Sequence, residues 1–239
     1  MIHLVDHLFM LLLFVVQPIH GARSFAAYVR EVEAGAPANR VKLYRQTMII
    51  EWIAFAVLAV TWMLLDRPIS TLGFVAPAGL GFWICAALVL AGCVALYVGW
   101  RKSQAMTEEQ KVPHREGLGN LKHMLPNQQK HMPGFFWLSA TAGIVEETVY
   151  RGFVFWYLLH FMPIWAVVAV SSVAFGLAHS YQGASGVLKI IAIGIAFGAL
   201  YIFSGSIWVP IAGHFLFDAL QGLSILEIQK KNEPEPSPA

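Results

Sequence analysis

Charge is scarce in this sequence. Of its 239 residues, 13% are charged and 57% are hydrophobic, whereas a soluble domain carries about 25% charged residues. Mean hydropathy is +0.61. A soluble fold of this length leaves too much of its chain exposed to hide so much apolar surface. Cysteine is nearly absent too. Cys85 and Cys93 are the two present, separated along a helix by roughly 12 Å of rise, which excludes an intrahelical disulfide. Dense basic clusters are missing. With a net charge of +2, nothing tracks a phosphate backbone, and a nucleic-acid partner is excluded. What remains is an all-α, polytopic transmembrane helical bundle forming a single integral membrane domain.

A crossing needs roughly 20 mostly apolar residues. Seven candidate segments meet or approach that length, over residues 2–19, 47–65, 80–100, 134–160, 164–180, 186–203 and 206–224. Lipid offers backbone groups no other partner, so all are expected to be helical. The period-two pattern of a membrane barrel is absent. The first segment has no Lys or Arg ahead of its apolar run, unlike a signal peptide, and reads as a retained span. Arg23, Arg30, Arg40, Lys42 and Arg45 follow it, and Arg101, Lys102, Lys111, Arg115, Lys122 and Lys130 follow the third segment. By the positive-inside rule both linkers are cytoplasmic, placing the N-terminus outside and the C-terminus in the cytoplasm of an inner membrane.

Three parts follow along the chain. Residues 1–133 hold three spans and a polar linker, 134–224 hold the charged spans, and 225–239 end in EPEPSPA and are expected to be a disordered tail. The linker 101–133 reads as a solvated or interfacial loop. Its histidines, His114, His123 and His131, lie nine and eight residues apart and match no compact metal motif. Gly194 and Gly198 form a GxxxG, which implies close helix packing.

Ionisable groups inside a span are costly and usually functional. Asp6 and His7 sit near an outer end, Glu51 can reach the inner surface near Arg45, and Lys189 can snorkel. Glu146, Glu147 and Arg151 in GIVEETVYRG, His179 in FGLAH, and His214 and Asp218 in HFLFD have no such exit. Residues four apart share a helix face. Glu147 and Arg151 therefore meet, His214 and Asp218 face one cavity, and Phe175 walls the site of His179. Glu146 points about 100° away from Glu147 and lacks that partner, which leaves a desolvated carboxylate poised to accept a proton. Glu146, His179, His214 and Asp218 together imply a polar intramembrane cavity. A proton-relaying transporter and a non-catalytic immunity or scaffold protein are the alternatives to an enzyme.

EETVYR is an EExxxR motif, FGLAH an FxxxH and HFLFD an HxxxD. In that order on successive late spans they resemble the CPBP family, the Abi or type II CAAX prenyl endopeptidase group of intramembrane proteases. The resemblance covers roughly residues 134–223. It implies peptide-bond hydrolysis in which Glu146 activates water, His179 assists, and His214 with Asp218 stabilises the oxyanion, while Glu147, Arg151 and Phe175 shape the site. It implies no cofactor, with a zinc-dependent version as the alternative. The partners it implies are the lipid bilayer and a protein or peptide substrate, either prenylated or a leader or sorting peptide. One position departs from the pattern. Asp218 stands where the prenyl endopeptidases often have Asn, and an ionised Asp cannot donate to an oxyanion. Holding His214 as the donor is the role expected of it.

Overall fold

The computed structural model describes residues 1–230, and these are helical or in turns and loops throughout. Helix α1 (Leu4–Glu33) is one continuous rod that carries a π-helical turn at Leu12–Val16. Helix α2 (Arg40–Leu64) begins at Asn39, whose side chain accepts from the Lys42 amide at 3.0 Å. Helix α3 (Gly79–Gln104) follows a short turn, and α4 (Glu108–Gly117) opens with a capping box between Thr107 and Gln110. Helix α5 spans 132–158 without a break and winds as a π-helix over Thr148–Val154. Helices α6 (Ile164–Ala178), α7 (Gly183–Ser204) and α8 (Trp208–Gln229) complete the bundle. Gly205, in the left-handed conformation with φ 65°, stops α7.

Every expected apolar segment is helical, as lipid requires of the backbone. Five helices are long and apolar enough to cross a membrane: α1, α2, α3, α8 and the run Ser180–Ser204 that contains α7. The expected seven crossings reduce to those five on length and apolarity. Helix α5 carries the charged motif, and α6 has 15 residues, about 22 Å of rise against a hydrocarbon core of about 30 Å. Leu80, Trp83, Leu88 and Leu90 point their side chains outward from α3, the pattern of a helix that faces lipid.

One end of the bundle is pinned by a charge. Arg67 donates to both carboxylate oxygens of Asp6, at 2.8 and 2.6 Å, and its guanidinium lies 4.7 Å from the Trp62 ring and 4.4 Å from that of Trp156. His7 bonds the Tyr157 hydroxyl beside it. At the other end the linker after α3 differs from the solvated loop expected of it. Arg40 donates to the carbonyls of Lys122 and Leu125, Tyr44 to that of Met124, and Tyr28 to that of His123. Arg115 donates to the carbonyls of Ile228 and Lys230. Polar hydrogen bonds under the bundle therefore order a segment with too few apolar residues to read as structure. The C-terminal helix also runs past Ile225, with Leu226 buried. Residues 225–229, expected to belong to the tail, are thus helical, and 231–239 lie outside the described residues.

Candidate active site

The site forms where α5 and α8 come unusually close. A Cβ added at Gly143 would stand 3.0 Å from the Ile211 carbonyl and 3.1 Å from the Phe215 amide, so a larger residue would push the helices apart. One turn further along each helix stand Glu147 and His214. Glu147 Oε1 accepts from Arg151 at 3.0 Å and from His214 Nδ1 at 2.8 Å. A carboxylate oxygen only accepts, so Nδ1 carries the proton and the second ring nitrogen, Nε2, faces the cavity.

Arg151 is also held from α7, donating to the Gly194 carbonyl at 3.1 Å. Gly194 presents that carbonyl because its missing side chain lets α7 lie against Ser172 of α6, where a Cβ would meet Ser172 at 3.0 Å. Gly198 likewise faces Phe155 and Val168, so the GxxxG packs as its spacing implies. The guanidinium lies 4.7 Å from the Phe175 ring centroid and 5.8 Å from that of Phe197. Glu147 and Arg151 are 0% and 1% exposed, so their charges have no screening but each other and His214.

His214 stacks on Phe197 and meets Phe175 edge-on. Its Nε2 stands 3.5 Å from Asp218 Oδ2 and 3.9 Å from Glu146 Oε2. Glu146 Oε2 is enclosed and makes no hydrogen bond. Asp218, with 41% of its side chain exposed against 17% for Glu146, marks the open side of the cavity. Asp218 is expected to orient His214, and it stands 3.5 Å from Nε2. Glu147 holds the opposite ring nitrogen, so the imidazole has a carboxylate at each side.

His179 caps α6, with Nδ1 bonded to the Phe175 carbonyl at 2.8 Å. Phe175 touches both imidazoles, at 4.8 Å from His179 and 6.2 Å from His214. Helix α6 ends at Ala178, and the chain turns through Ser180–Gln182 into α7. That turn also brings Tyr181 within electrostatic range of Glu51, Glu146 and Asp218.

Glu51 is the residue that sequence reasoning misplaced. No ion pair links it to Arg45 among the described residues. Its Oε2 is enclosed without a partner, and it interacts with Glu146, His214 and Asp218. Trp52, next to it, donates to Thr141 of α5 at 3.2 Å, which ties α2 to α5. The signal available was a carboxylate about one turn inside an apolar segment. For a metal, donors must converge at bonding distances. Among the described residues no three His, Cys, Asp or Glu are grouped to do so, and His214 Nδ1 is already occupied.

Fold and site together define an all-helical integral membrane protein with a carboxylate–imidazole cluster enclosed among its helices. Residues 128–220 match the family model described as type II CAAX prenyl endopeptidase Rce1-like, which bears out the resemblance carried by the three motifs. All three motifs lie inside that stretch, so it is the C-terminal part of the chain that is similar to a membrane protease family. No curated protein and no solved structure matches the chain.

Proposed function

We propose that this protein is an intramembrane endopeptidase that cleaves a peptide bond near the terminus of a protein or peptide substrate with a glutamate-activated water. Hydrolysis needs a base for water, a donor for the tetrahedral oxyanion and an acid for the leaving amine. Glu146 takes a proton from water, whose oxygen then bonds the scissile carbonyl carbon. His214, with Nδ1 held by Glu147, offers Nε2 toward the oxyanion, and Asp218 stands beside that nitrogen and favours its charged, donating form. Glu146 passes its proton to the amine as the C–N bond breaks. His179 orients the water, and Arg151 and Phe175 hold the frame. The reaction runs without a metal or other cofactor.

The observation that carries this reading is the Glu146 carboxylate, one oxygen of which is enclosed without a hydrogen-bond partner and lies 3.9 Å from His214 Nε2. A structural carboxylate in such a place would be expected to have a hydrogen-bond partner.

The cluster opens toward the cytoplasm in this proposal. The Lys- and Arg-rich linkers and the end of α8 share one end of the bundle, since Tyr28 and Arg40 bond the linker and Arg115 bonds the Ile228 carbonyl. The positive-inside rule makes that end cytoplasmic. The substrate is a prenylated, leader or sorting peptide that enters from the bilayer or from this side.

Mass-spectrometric comparison of protein termini in membranes of wild type and Glu146→Ala tests the proposal. Uncut termini should accumulate in the variant. Identical termini, with the variant accumulating normally, would instead favour a non-catalytic membrane role.

A further inference from the structure

A cavity of about 280 Å³ lies where the linker docks against the helix ends. Arg40 from the start of α2, Arg115 from α4, Lys122, His123 and Asn127 from the linker, and Gln229 from the end of α8 line it. Main-chain carbonyls tie these segments together. Arg40 donates from Nε to Leu125 at 2.8 Å and from Nη2 to Lys122 at 2.7 Å, and Gln229 donates to Pro126 at 3.0 Å.

Positive charge is in surplus there. Arg40 is 8% exposed, yet it forms no ion pair among the described residues. A guanidinium so buried ordinarily has an anionic partner, and carbonyls satisfy its geometry without carrying net charge. Its third nitrogen, Nη1, makes no hydrogen bond among the described residues and is left to the cavity that the side chain lines. Lys122 likewise forms no ion pair among the described residues, whereas Arg115 is neutralised by Glu108 at 2.7 Å. Glu33 is near enough to act on His123 but pairs with neither Arg40 nor Lys122.

Two more polar atoms of the wall, His123 Nε2 and Asn127 Oδ1, are enclosed without a hydrogen-bond partner. A neutral imidazole can carry its proton on Nε2, and the Asn127 amide turned over presents its N–H groups instead of its oxygen. Arg40, Lys122, His123 and Asn127 can thus all donate into one small space. A terminal phosphate offers three strong acceptor oxygens and up to two negative charges, which matches that set.

We propose that this cavity is a binding site for a phosphate group, held by Arg40, Lys122 and His123 with Asn127 beside them. In the orientation proposed above the cavity is on the cytoplasmic side, where basic pockets between helices take anionic lipid headgroups. A lipid headgroup and a free phosphate share this chemistry. The bound anion joins the linker to α2 and α8. The site is separate from the proposed peptidase chemistry, and no cleavage is needed to detect it.

The test uses purified full-length protein in a neutral detergent, with thermal unfolding followed by tryptophan fluorescence at constant ionic strength. A ligand that binds the folded state raises the midpoint. The probes are dioctanoyl phosphatidic acid, inorganic phosphate, and dioctanoyl phosphatidylcholine, whose phosphate is neutralised by its choline. Phosphatidic acid should raise the midpoint saturably, and phosphatidylcholine should not. A matching rise with inorganic phosphate would identify the phosphate itself as sufficient, and a rise with phosphatidic acid alone would identify a lipid headgroup. Either supports the site. The double variant Lys122→Gln, His123→Gln should weaken the apparent Kd roughly tenfold, the loss expected with one charge-assisted hydrogen bond. Lys130→Gln removes an exposed cation of the same linker outside the cavity and should bind like wild type.

No saturable rise with phosphatidic acid or phosphate, or an equal rise with phosphatidylcholine, would overturn the proposal. Unchanged affinity in the double variant would do so as well. An equal loss in Lys130→Gln would replace the site with diffuse attraction to a basic linker. If the double variant does not accumulate, Lys122→Gln alone, altering an exposed side chain, is compared with Lys130→Gln, and equal affinities would overturn the proposal.

Discussion

Glu147 and His214, 67 residues apart, meet across the α5–α8 contact at 2.8 Å. That single bond joins two motifs and decides which imidazole nitrogen faces the cavity. It also shows why adjacent glutamates have different environments. Glu147 is saturated by Arg151 and His214, and the enclosed oxygen of Glu146 has no bond at all.

Weakening that bond should lower turnover more than binding. Glu147→Gln keeps an oxygen acceptor near the ring but loses the charge that orders it. We expect kcat to fall about 10–100-fold, the usual range when the partner that orients a functional histidine is altered, with KM little changed. Steady-state kinetics on a peptide cleaved by the wild type would measure this. An unchanged kcat would mean that the orientation of His214 does not matter to the reaction.

Arg151→Met should destabilise the fold. It leaves the Glu147 carboxylate, 0% exposed, with the imidazole as its remaining partner. Breaking a buried pair in this way costs about 3–5 kcal/mol. Thermal unfolding in detergent should show a lower midpoint. A midpoint equal to wild type would show that the pair contributes little.

Gly143→Val should separate α5 from α8. Its Cβ would meet the Ile211 carbonyl at 3.0 Å, and backbone cannot yield as a side chain can. Activity should be lost together with stability, and Gly143→Ala should be milder in both. Wild-type activity in Gly143→Val would refute the claim that this approach builds the site.

Acidification should loosen the cytoplasmic linker. Burial first, then the nearby cations Lys122 and Arg40, holds the His123 imidazole below its ordinary range. Burial, Arg40 and Lys130 do the same to His131. The unfolded segment therefore binds protons near pH 6.5 that the docked segment refuses. Stability is fully present above that pH and declines as pH falls toward the depressed values. Limited proteolysis of the linker should accelerate from pH 7.5 to 5.5, and the double variant His123→Gln, His131→Gln should respond less. Cleavage independent of pH would contradict this account.

Chelation should leave proteolysis intact. The donors around His214 are not grouped for a metal, and Glu146 is proposed to act on water directly. Activity of purified protein after exhaustive dialysis against EDTA would be compared with an untreated sample. Loss on dialysis with recovery on added Zn²⁺ would favour the metal-dependent version.

Much of the site was legible because a bilayer makes charge conspicuous. Glu146, Glu147, Arg151, His214 and Asp218 stood out as ionisable residues in apolar runs, and four-residue spacing placed Glu147 against Arg151 and His214 beside Asp218. The same reasoning misplaced Glu51, because a span read alone gives depth but not which neighbour its face meets. It also took the linker as solvated, because its order comes from Arg40, Tyr44, Tyr28 and Arg115 bonding to main-chain carbonyls, and these bonds leave no apolar period in the sequence.

Composition alone determined that this chain is helical and membrane-embedded, since apolar runs in lipid must satisfy their own backbone hydrogen bonds. Motif spacing determined which side chains share a face on each helix. Only the tertiary structure decided that Glu147 holds His214, that Asp218 stands at the other ring nitrogen, and that a third helix brings Glu51 to the cluster. Those relations depend on how closely helices approach, and that is set by absent side chains at Gly143 and Gly194 acting across distant parts of the chain.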